Sequence, residues 1–479
     1  MPRLTRDRTT WLAYAQLGLW GFFLYGFGPV VPLLRDEQGT SAAVAGLHST
    51  GIAVGALAGG ALFAPVARRY GRGPAVWLGL AGVAAGVAAL GVLHPPPATI
   101  AAVAVVATFG MMVISGVNVV LTARHGPAAP AALTEANAVC AGMGILAPLT
   151  IGATVDAGLG WRPVTAVEVG LITLVALTAL TFRVRLPKRS PATAAAAVPV
   201  GAPAVVPAAG PAVVPAAAPT AVPAGAVPAT GPAVVPAGAV PATGPAVVPA
   251  GGPAELGAGR RPARPASLRA ADADGPAASG RLPRAYWIAW VLMAVTGSIE
   301  VCLSLWTADV LRTHAGLSAG GASAAVAAIV CGMFAGRVAG GRAALRWPPV
   351  PLLLGAFTVS LAGFALFWAS PIGWLAVTGL IVLGLGNALH YPLAISIALA
   401  VAGPAADRAA GWSSYSMAVG FGIAPVALGW VADGVGPHPA FLMLPCFIAA
   451  AVLLTVRLGR ALPPLSAPGR GLPRRRSAA

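Results

Sequence analysis

The chain has 479 residues, of which 57% are hydrophobic and only 9% are charged. A water-soluble protein cannot keep so apolar a surface in solution, so this composition excludes a soluble protein and indicates a polytopic membrane protein. The net charge of +17 could suggest nucleic-acid binding. The basic residues lie scattered at the ends of apolar segments rather than together on one domain, which argues against a nucleic-acid partner.

Windows of about 19 residues predict twelve apolar helices, separated by charged turns or by clusters of proline and glycine. Six lie in a first apolar block, at 12–33, 42–64, 75–93, 98–121, 132–153 and 163–182. Six more lie in a second block, at 286–307, 319–338, 350–368, 372–399, 412–432 and 439–456. The predicted fold class is therefore an all-α polytopic membrane protein with twelve transmembrane helices in two six-helix bundles.

Between the two blocks lies a stretch made mostly of Ala, Pro, Val and Gly, in which the unit PAGAVPATGPAVV begins at Pro223 and again at Pro236. Each internal proline removes a backbone donor and clashes with the preceding turn, so no helix can run through the stretch. Backbone groups left unpaired in hydrocarbon cost several kcal/mol each, so the stretch cannot cross the membrane. We interpret 183–284 as a disordered, polyproline-like cytoplasmic linker.

The linker divides the chain into predicted units, and the basic residues orient them. The units are a cytoplasmic amino terminus at 1–10, bundles at 11–182 and 285–457, and a basic cytoplasmic tail at 458–479. With this orientation only Arg35, Arg162 and Arg312 fall on the outer side, as the positive-inside rule expects. We expect a multi-pass protein of the plasma (inner) membrane with both termini in the cytoplasm. The abundance of Ala, Gly and Pro favours a bacterial source.

An internal repeat relates the two blocks through a shift of 277 residues. The matched residues all lie in the fifth helix of their block, and they are Ala147-Pro148 with Ala424-Pro425, Gly152 with Gly429, and Asp156 with Asp433. Matched proline and aspartate are informative in a chain with so few charges. Because each block holds an even number of spans, the two copies are predicted to insert in the same orientation, as a parallel repeat about the membrane normal.

With six plus six helices and a basic loop between the halves, the chain resembles a transporter of the major facilitator superfamily. The resemblance covers both blocks but not the linker. The segment APVARRYGRG at 64–73 is similar to the family's loop motif G-x-L-x-D-R-x-G-R-R. It keeps Arg69, Gly71 and Arg72, which are therefore gating-loop candidates, and it carries Arg68 where the family has an acidic residue.

A second, partial motif lies in the fifth helix. The segment MGILAPLTIG at 143–152 approximates the family's antiporter motif G-x-x-x-G-P-x-x-G-G and keeps Pro148 and Gly152. The match favours efflux by antiport. The resemblance also implies two bundles that rock about a central cavity lined by helices 1, 4, 7 and 10. No metal-ligand spacing, phosphate loop or dinucleotide motif occurs in the sequence, so we expect no cofactor, no metal and no enzymatic activity.

An ionisable residue inside a span is costly and is therefore a functional candidate. Glu300 lies 14 residues into the seventh predicted helix, about 21 Å along its axis. A carboxyl group that is costly to ionise suits a role in proton uptake and release. The alternative is a structural pair with Arg337, which is predicted at the inner end of helix eight, where an arginine can also snorkel to the interface.

The other candidates for proton coupling or substrate binding are polar residues in apolar helices, namely Gln16, Tyr25, Asn118, Asn387, His390 and Tyr391. His390 could carry a proton near neutral pH or serve in packing. Asp156, Asp433 and Glu135 are interpreted as structural. Glu168 is predicted to pair with Arg162.

These features predict a secondary transporter that exports a small, fairly apolar solute in exchange for protons by alternating access. Its expected partners are the solute, protons and the lipid bilayer, and the expected functional unit is a monomer. Two alternatives stay open at this point. The chain could take up a small metabolite with protons, or it could be a membrane sensor or scaffold that no longer transports.

Overall fold

The computed structural model describes residues 4–184, 282–344 and 346–461, and these belong to one compact unit. The first half contains α1 (Arg8–Gln38), α2 (Ala42–Tyr70), α3 (Arg72–Val92), α4 (Pro96–His125), α5 (Ala129–Asp156) and α6 (Pro163–Thr181). The second half contains α7 (Arg284–Thr313), α8 (Ala319–Ala344), α9 (Pro349–Ala369), α10 (Gly373–Ala402), α11 (Ala406–Val435) and α12 (Pro437–Ala461). The interpretation of the central stretch as a linker concerns residues outside the described ranges.

All twelve of these helices are long and apolar enough to cross a membrane, so the predicted all-α fold with twelve spans is confirmed. Several helices are longer than predicted: α1 begins at Arg8 and ends at Gln38, instead of covering 12–33. At its start the Asp7 carboxylate accepts a hydrogen bond from the Thr10 amide, and at its end Gly39 adopts a φ of 61°. Such caps stabilise polar end turns that a hydropathy window cannot detect.

Three of these helices are interrupted. The helical hydrogen-bond pattern of α8 is interrupted at Val326, that of α10 at Ala388 and Leu389, and that of α12 at Phe441 and Leu442. In α10 the break places Pro392 in the first turn of the second piece, where a missing backbone donor costs little. Because α8 continues to Ala344, Arg337 lies seven residues before the end of the helix, and the prediction that it sits at the inner end was wrong.

Glycines set the spacing of the helices, and they do so in the same way in both halves. A Cβ at Gly55 of α2 would collide with the backbone carbonyl of Ala104 in α4. A Cβ at Gly332 of α8 would collide likewise with the carbonyl of Ile381 in α10. Both partners of the second contact follow those of the first by 277 residues, so the predicted repeat extends from the fifth helix to the second and fourth. Close approach of this kind is how apolar helices gain packing energy in a membrane.

This packing can be tested with one glycine at a contact and one on the surface. Replacement of Gly55 by alanine should destabilise the fold by about 1–3 kcal/mol because the added methyl group must push α2 away from α4. Gly142→Ala is the matched control, since Gly142 is exposed on α5 and a Cβ there meets open space. Thermal unfolding in detergent should show a lower midpoint for Gly55→Ala only. Equal midpoints would contradict the proposed role of the glycine contact.

Candidate functional site

A cavity of about 740 Å³ lies between the two halves. Its lining comes from α1, α2, α7, α8 and α11, and it is apolar apart from Tyr25, Glu300 and Ser304. A second cavity of about 600 Å³ adjoins it, shares Leu24, Ile52 and Phe421 with it, and extends toward Trp20. The two adjoining cavities are here called the central cavity.

Glu300 reaches the central cavity because α1 and α7 lie almost in backbone contact. A Cβ at Gly28 of α1 would collide with the carbonyl of Ser304 in α7, one helical turn beyond Glu300. The neighbours Ile299 and Val301 are buried, whereas Glu300 is half-buried and lines the cavity. The predicted midplane carboxyl therefore faces the space between the halves.

Three polar residues from three other helices surround Glu300. The charge of Arg337 in α8 acts on both Glu300 and Tyr25 of α1, and the charge of Glu300 acts on Tyr391 of α10. Within the described ranges no ion pair at 4.0 Å or less joins Glu300 to Arg337. Glu300 thus has a nearby positive charge without a closed salt bridge.

Each of these three neighbours carries one of the buried polar atoms that lack a hydrogen-bond partner among the described residues. The atoms are the hydroxyls of Tyr25 and Tyr391 and the Nε atom of Arg337. A buried polar group that stays unpaired costs about 1–3 kcal/mol, and of the three residues Tyr25 lines the central cavity. Four of the predicted site residues are therefore brought together by the fold.

Apart from Tyr25 and Glu300, the predicted site residues do not line the central cavity. Asn387 is buried behind the lining and donates to the sulfur of Met333 at 3.9 Å. His390 is buried against α9, where its Nε2 lies 3.1 Å from the Ser360 hydroxyl and its ring lies 4.4 Å from that of Phe357. The structure thus places His390 in the packing position that was its alternative interpretation.

Two candidates from the first half also lie off the cavity lining. Gln16 is fully buried in α1 and neither atom of its amide group has a hydrogen-bond partner among the described residues. Asn118 is half-buried in α4. Conversely, sequence reasoning missed Ser304 and Phe421, because single serine and phenylalanine residues in apolar helices carry no signal that they face a cavity.

The two motif segments have clear structural positions. Gly71 adopts a φ of 95° at the sharp turn between α2 and α3, where the side chain of Arg69 lies over the Tyr70 ring at 5.5 Å. Arg72 is the first residue of α3. In α5, Pro148 lies inside the helix, and a Cβ at Gly152 would lie 2.7 Å from the carbonyl oxygen of Gly320 in α8.

Four charged residues join the halves at one end of the bundle. Arg35 of α1 forms ion pairs with Asp36 and with Asp309 of α7, and Arg312 of α7 contacts Asp36 at 2.8 Å and Asp309 at 3.8 Å. Only 2% of the Asp309 side chain is exposed, which makes its pairing the most desolvated of the set. We call these four residues the latch, and this end of the bundle the latch end.

Two helix caps tie the halves together at the same end. Asp433 of α11 accepts hydrogen bonds from the amides of Ala42 and Ala43, at 2.7 and 3.0 Å, at the start of α2. Asp156 of α5 accepts one from the hydroxyl of Ser318, the residue that caps α8, at 3.0 Å. A carboxylate is stabilised at a helix amino terminus. The two aspartates of the repeat therefore make matching contacts across the interface.

The predicted pair of Glu168 with Arg162 is wrong. Arg162 forms its ion pair with Glu37, and it also donates to the carbonyls of Gly91 and Leu93 at 2.6 and 2.9 Å. Glu135, interpreted as structural, pairs with Arg6 near the start of α1. Among the described residues, no group of three or more His, Cys, Asp or Glu could hold a metal ion.

Comparison with known proteins gives one family and several similar structures. A family model for the Major Facilitator Superfamily matches residues 16–411 and, in a second match, residues 308–478. No curated protein sequence matches the chain.

Three solved structures illustrate the similarity. The nucleoside transporter NupG has a TM-score of 0.60 and 12% identity, with 94% of this chain and 97% of that chain covered. A bacterial homologue of the human lysosomal transporter Spinster, in an inward-facing, unoccupied conformation, has a TM-score of 0.63 and 12% identity, with 95% and 98% covered. The human organic anion transporter MFSD10 has a TM-score of 0.54 and 14% identity, with 94% and 100% covered. At these identities the likeness shows a shared fold.

The latch can be tested by removing its buried carboxylate. Asp309→Asn leaves Arg35 without its buried partner, which typically costs about 3–5 kcal/mol. The halves should then separate more often at the latch end. A cysteine placed in the cavity by Ser304→Cys, with the native cysteines replaced, should react faster with a membrane-impermeant thiol reagent applied at that end.

Asp36→Asn provides a graded control within the same network. The Asp36 side chain is 40% exposed, and exposed ion pairs contribute only about 0–1 kcal/mol. Its loss should accelerate labelling much less than the loss of Asp309. If the cysteine is labelled at the same rate in Asp309→Asn as in the protein with an intact latch, the latch does not control access to the cavity.

Proposed function

Because this chain belongs to the major facilitator superfamily, we propose that it is a secondary transporter that exports a small, fairly apolar solute in exchange for protons. The observation that carries the proposal is Glu300, a carboxyl group in an otherwise apolar cavity between two six-helix halves. The family supports transport as the general activity. The solute, the direction and the coupling ion are the parts that we propose.

The cavity itself supports the proposed class of solute. Its lining is apolar apart from Tyr25, Glu300 and Ser304, and a mostly apolar lining with a few polar groups is typical of small-molecule sites. Aliphatic and aromatic side chains supply most of the contact surface, so the favourable term is the burial of apolar area. The hydroxyls of Tyr25 and Ser304, which line the cavity with Glu300, offer hydrogen-bond donors that would orient one polar group of the solute beside the carboxyl.

Proton coupling would follow from the cost of charge in this cavity. An ionised Glu300 is stabilised by Arg337 but has no closed salt bridge, so proton binding and solute binding can compete for the same carboxyl. When a proton neutralises Glu300, its attraction for a polar or basic group of the solute falls, and the solute is released. If a proton and the solute bind this carboxyl alternately, movement of one across the membrane is coupled to movement of the other in the opposite direction.

The orientation of the latch end completes the proposed cycle. The positive-inside rule places Arg35, Arg162 and Arg312, and with them the latch end, on the outer side. The latch and the two aspartate caps then hold the outer side closed. We propose that both termini lie in the cytoplasm of a bacterial cell, in the plasma (inner) membrane. Because both halves belong to one chain, a monomer can complete the cycle.

The proposed coupling role of Glu300 is tested by Glu300→Gln in proteoliposomes across a panel of small apolar solutes. Gln cannot bind and release a proton, so flux driven by a pH gradient should fall at least about tenfold, while solute exchange without a gradient should persist. Glu135→Gln is the matched control, because Glu135 pairs with Arg6 away from the cavity. Fluxes should be measured with the gradient applied in both directions.

Equal gradient-driven flux in the Glu300→Gln variant and the unsubstituted protein would exclude the coupling role. Accumulation in the direction of the proton gradient, instead of against it, would show uptake in place of export. Absence of flux for every solute, with binding retained, would favour a sensor or scaffold.

A further inference from the structure

A third cavity lies inside the first half, bounded by α1, α3, α5 and α6. It has a volume of about 340 Å³, and its walls are mostly aromatic and aliphatic, with Phe22, Phe23 and Phe27 on the α1 side. Glu168 of α6 is the one ionisable residue in its lining. Phe27 lines both this cavity and the central cavity, so α1 forms a wall between the two.

Among the described residues, no ion pair involves the Glu168 carboxyl group. Only 3% of the residue is exposed, and its Oε1 atom is buried without a hydrogen bond. Glu168 lies five residues after the first residue of α6, about 8 Å along the helix from the latch end. The cavity therefore holds a buried, isolated acid close to that end.

The charged groups nearest to this cavity all have other partners. Arg162 of α6 pairs with Glu37, which follows the latch residues in α1, and Glu37 also lies 3.7 Å from His94 beyond the end of α3. On α5, Asp156 binds Ser318.

The remaining charges of α1 near this end, Arg35 and Asp36, belong to the latch. No counter-charge is therefore directed at Glu168 within the described part of the chain.

A plug separates Glu168 from the latch end. The indole of Trp161 lines the cavity, is buried, and donates to the Oε2 atom of Glu37 at 3.0 Å. The Arg162 guanidinium binds the same carboxylate and the carbonyls at the end of α3. We call Glu37, Trp161 and Arg162 the plug, because Glu37 binds both Arg162 and the Trp161 indole that forms the cavity wall toward the latch end.

We propose that Glu168 is a second proton-binding site, separate from Glu300, which exchanges its proton with the outer side through the plug. An ionised carboxylate without a counter-charge or hydrogen bond is strongly unfavourable in an apolar cavity, so the group holds a proton while the plug is closed. When the plug opens, solvent reaches the carboxyl and the proton can leave. The site stands on this geometry, whereas its part in the transport cycle rests on the proposed function.

Infrared spectroscopy of the purified protein tests the protonation directly. At neutral pH the unsubstituted protein should show a protonated-carboxyl stretching band that is lost in Glu168→Gln, a variant that resembles the neutral acid in shape. Glu135→Gln, which removes a carboxylate that is ion-paired with Arg6, should leave that band in place. Absence of the band from the unsubstituted protein would show an ionised Glu168 and overturn the proposal.

The route through the plug is tested by Glu37→Gln. This variant removes the negative charge that accepts hydrogen bonds from Trp161 and Arg162, so deuterium exchange at the Glu168 band should accelerate about tenfold or more. Asp36→Asn is the control, because Asp36 is adjacent in sequence but belongs to the latch. Exchange that is unchanged in Glu37→Gln, or equally fast in both variants, would overturn the plug as the route.

A transport measurement distinguishes failure of this proposal from failure of the proposed function. With a solute that is driven by protons, Glu168→Gln should lower the number of protons moved per solute, and an unchanged ratio would overturn its role in the cycle. If the band and its exchange behave as expected while no solute is transported, the proposed function fails and the proton site stands.

Discussion

The cost of an unpaired polar group in hydrocarbon governs this structure. It requires the spans to be helices and confines most charges to their ends, where caps and ion pairs stabilise them. Two carboxyl groups that remain inside the bundle line protein cavities: Glu300 lines the central cavity, and Glu168 lines the smaller one. Because a charge inside the bundle is costly unless other groups stabilise it, the few ionisable residues in the spans mark the places where a proton or a solute can bind.

The two halves use equivalent contacts. The glycine contact of Gly55 inside the first half recurs at Gly332 inside the second. Across the interface between the halves, Asp433 accepts hydrogen bonds from backbone amides of α2, and Asp156 accepts one from the Ser318 hydroxyl that caps α8. Most of the interface is held by close helix packing, which is insensitive to protonation. The latch adds ionic contacts at one end, and these can break as units when the halves separate. A rigid packed interface with a breakable polar end is suited to rocking motion.

Helix α1 connects the features that bear on function. One of its sides lines the central cavity through Tyr25, and another lines the Glu168 cavity through Phe23, while Phe27 contributes to both. Its end carries Arg35 of the latch and Glu37 of the plug. A shift of α1 would therefore change the surroundings of both Glu300 and Glu168 and the contacts that close the latch end. Helix α1 is thus one element through which proton binding and opening of the latch end can be linked.

The sequence alone determined the number and order of the helices, the 277-residue repeat and the position of Glu300, because hydropathy and rare charges are local properties of the chain. Helix ends were less accurate, since caps such as Asp7 and Gly39 extend helices beyond their apolar centres. Only the tertiary structure decided which side chains meet. It brought Arg337 and Tyr391 to Glu300, turned His390 toward α9, and left Glu168 without the predicted partner. Helices that are apolar on every face do not encode their own rotation or their neighbours, so these pairings depend on packing between segments far apart in sequence.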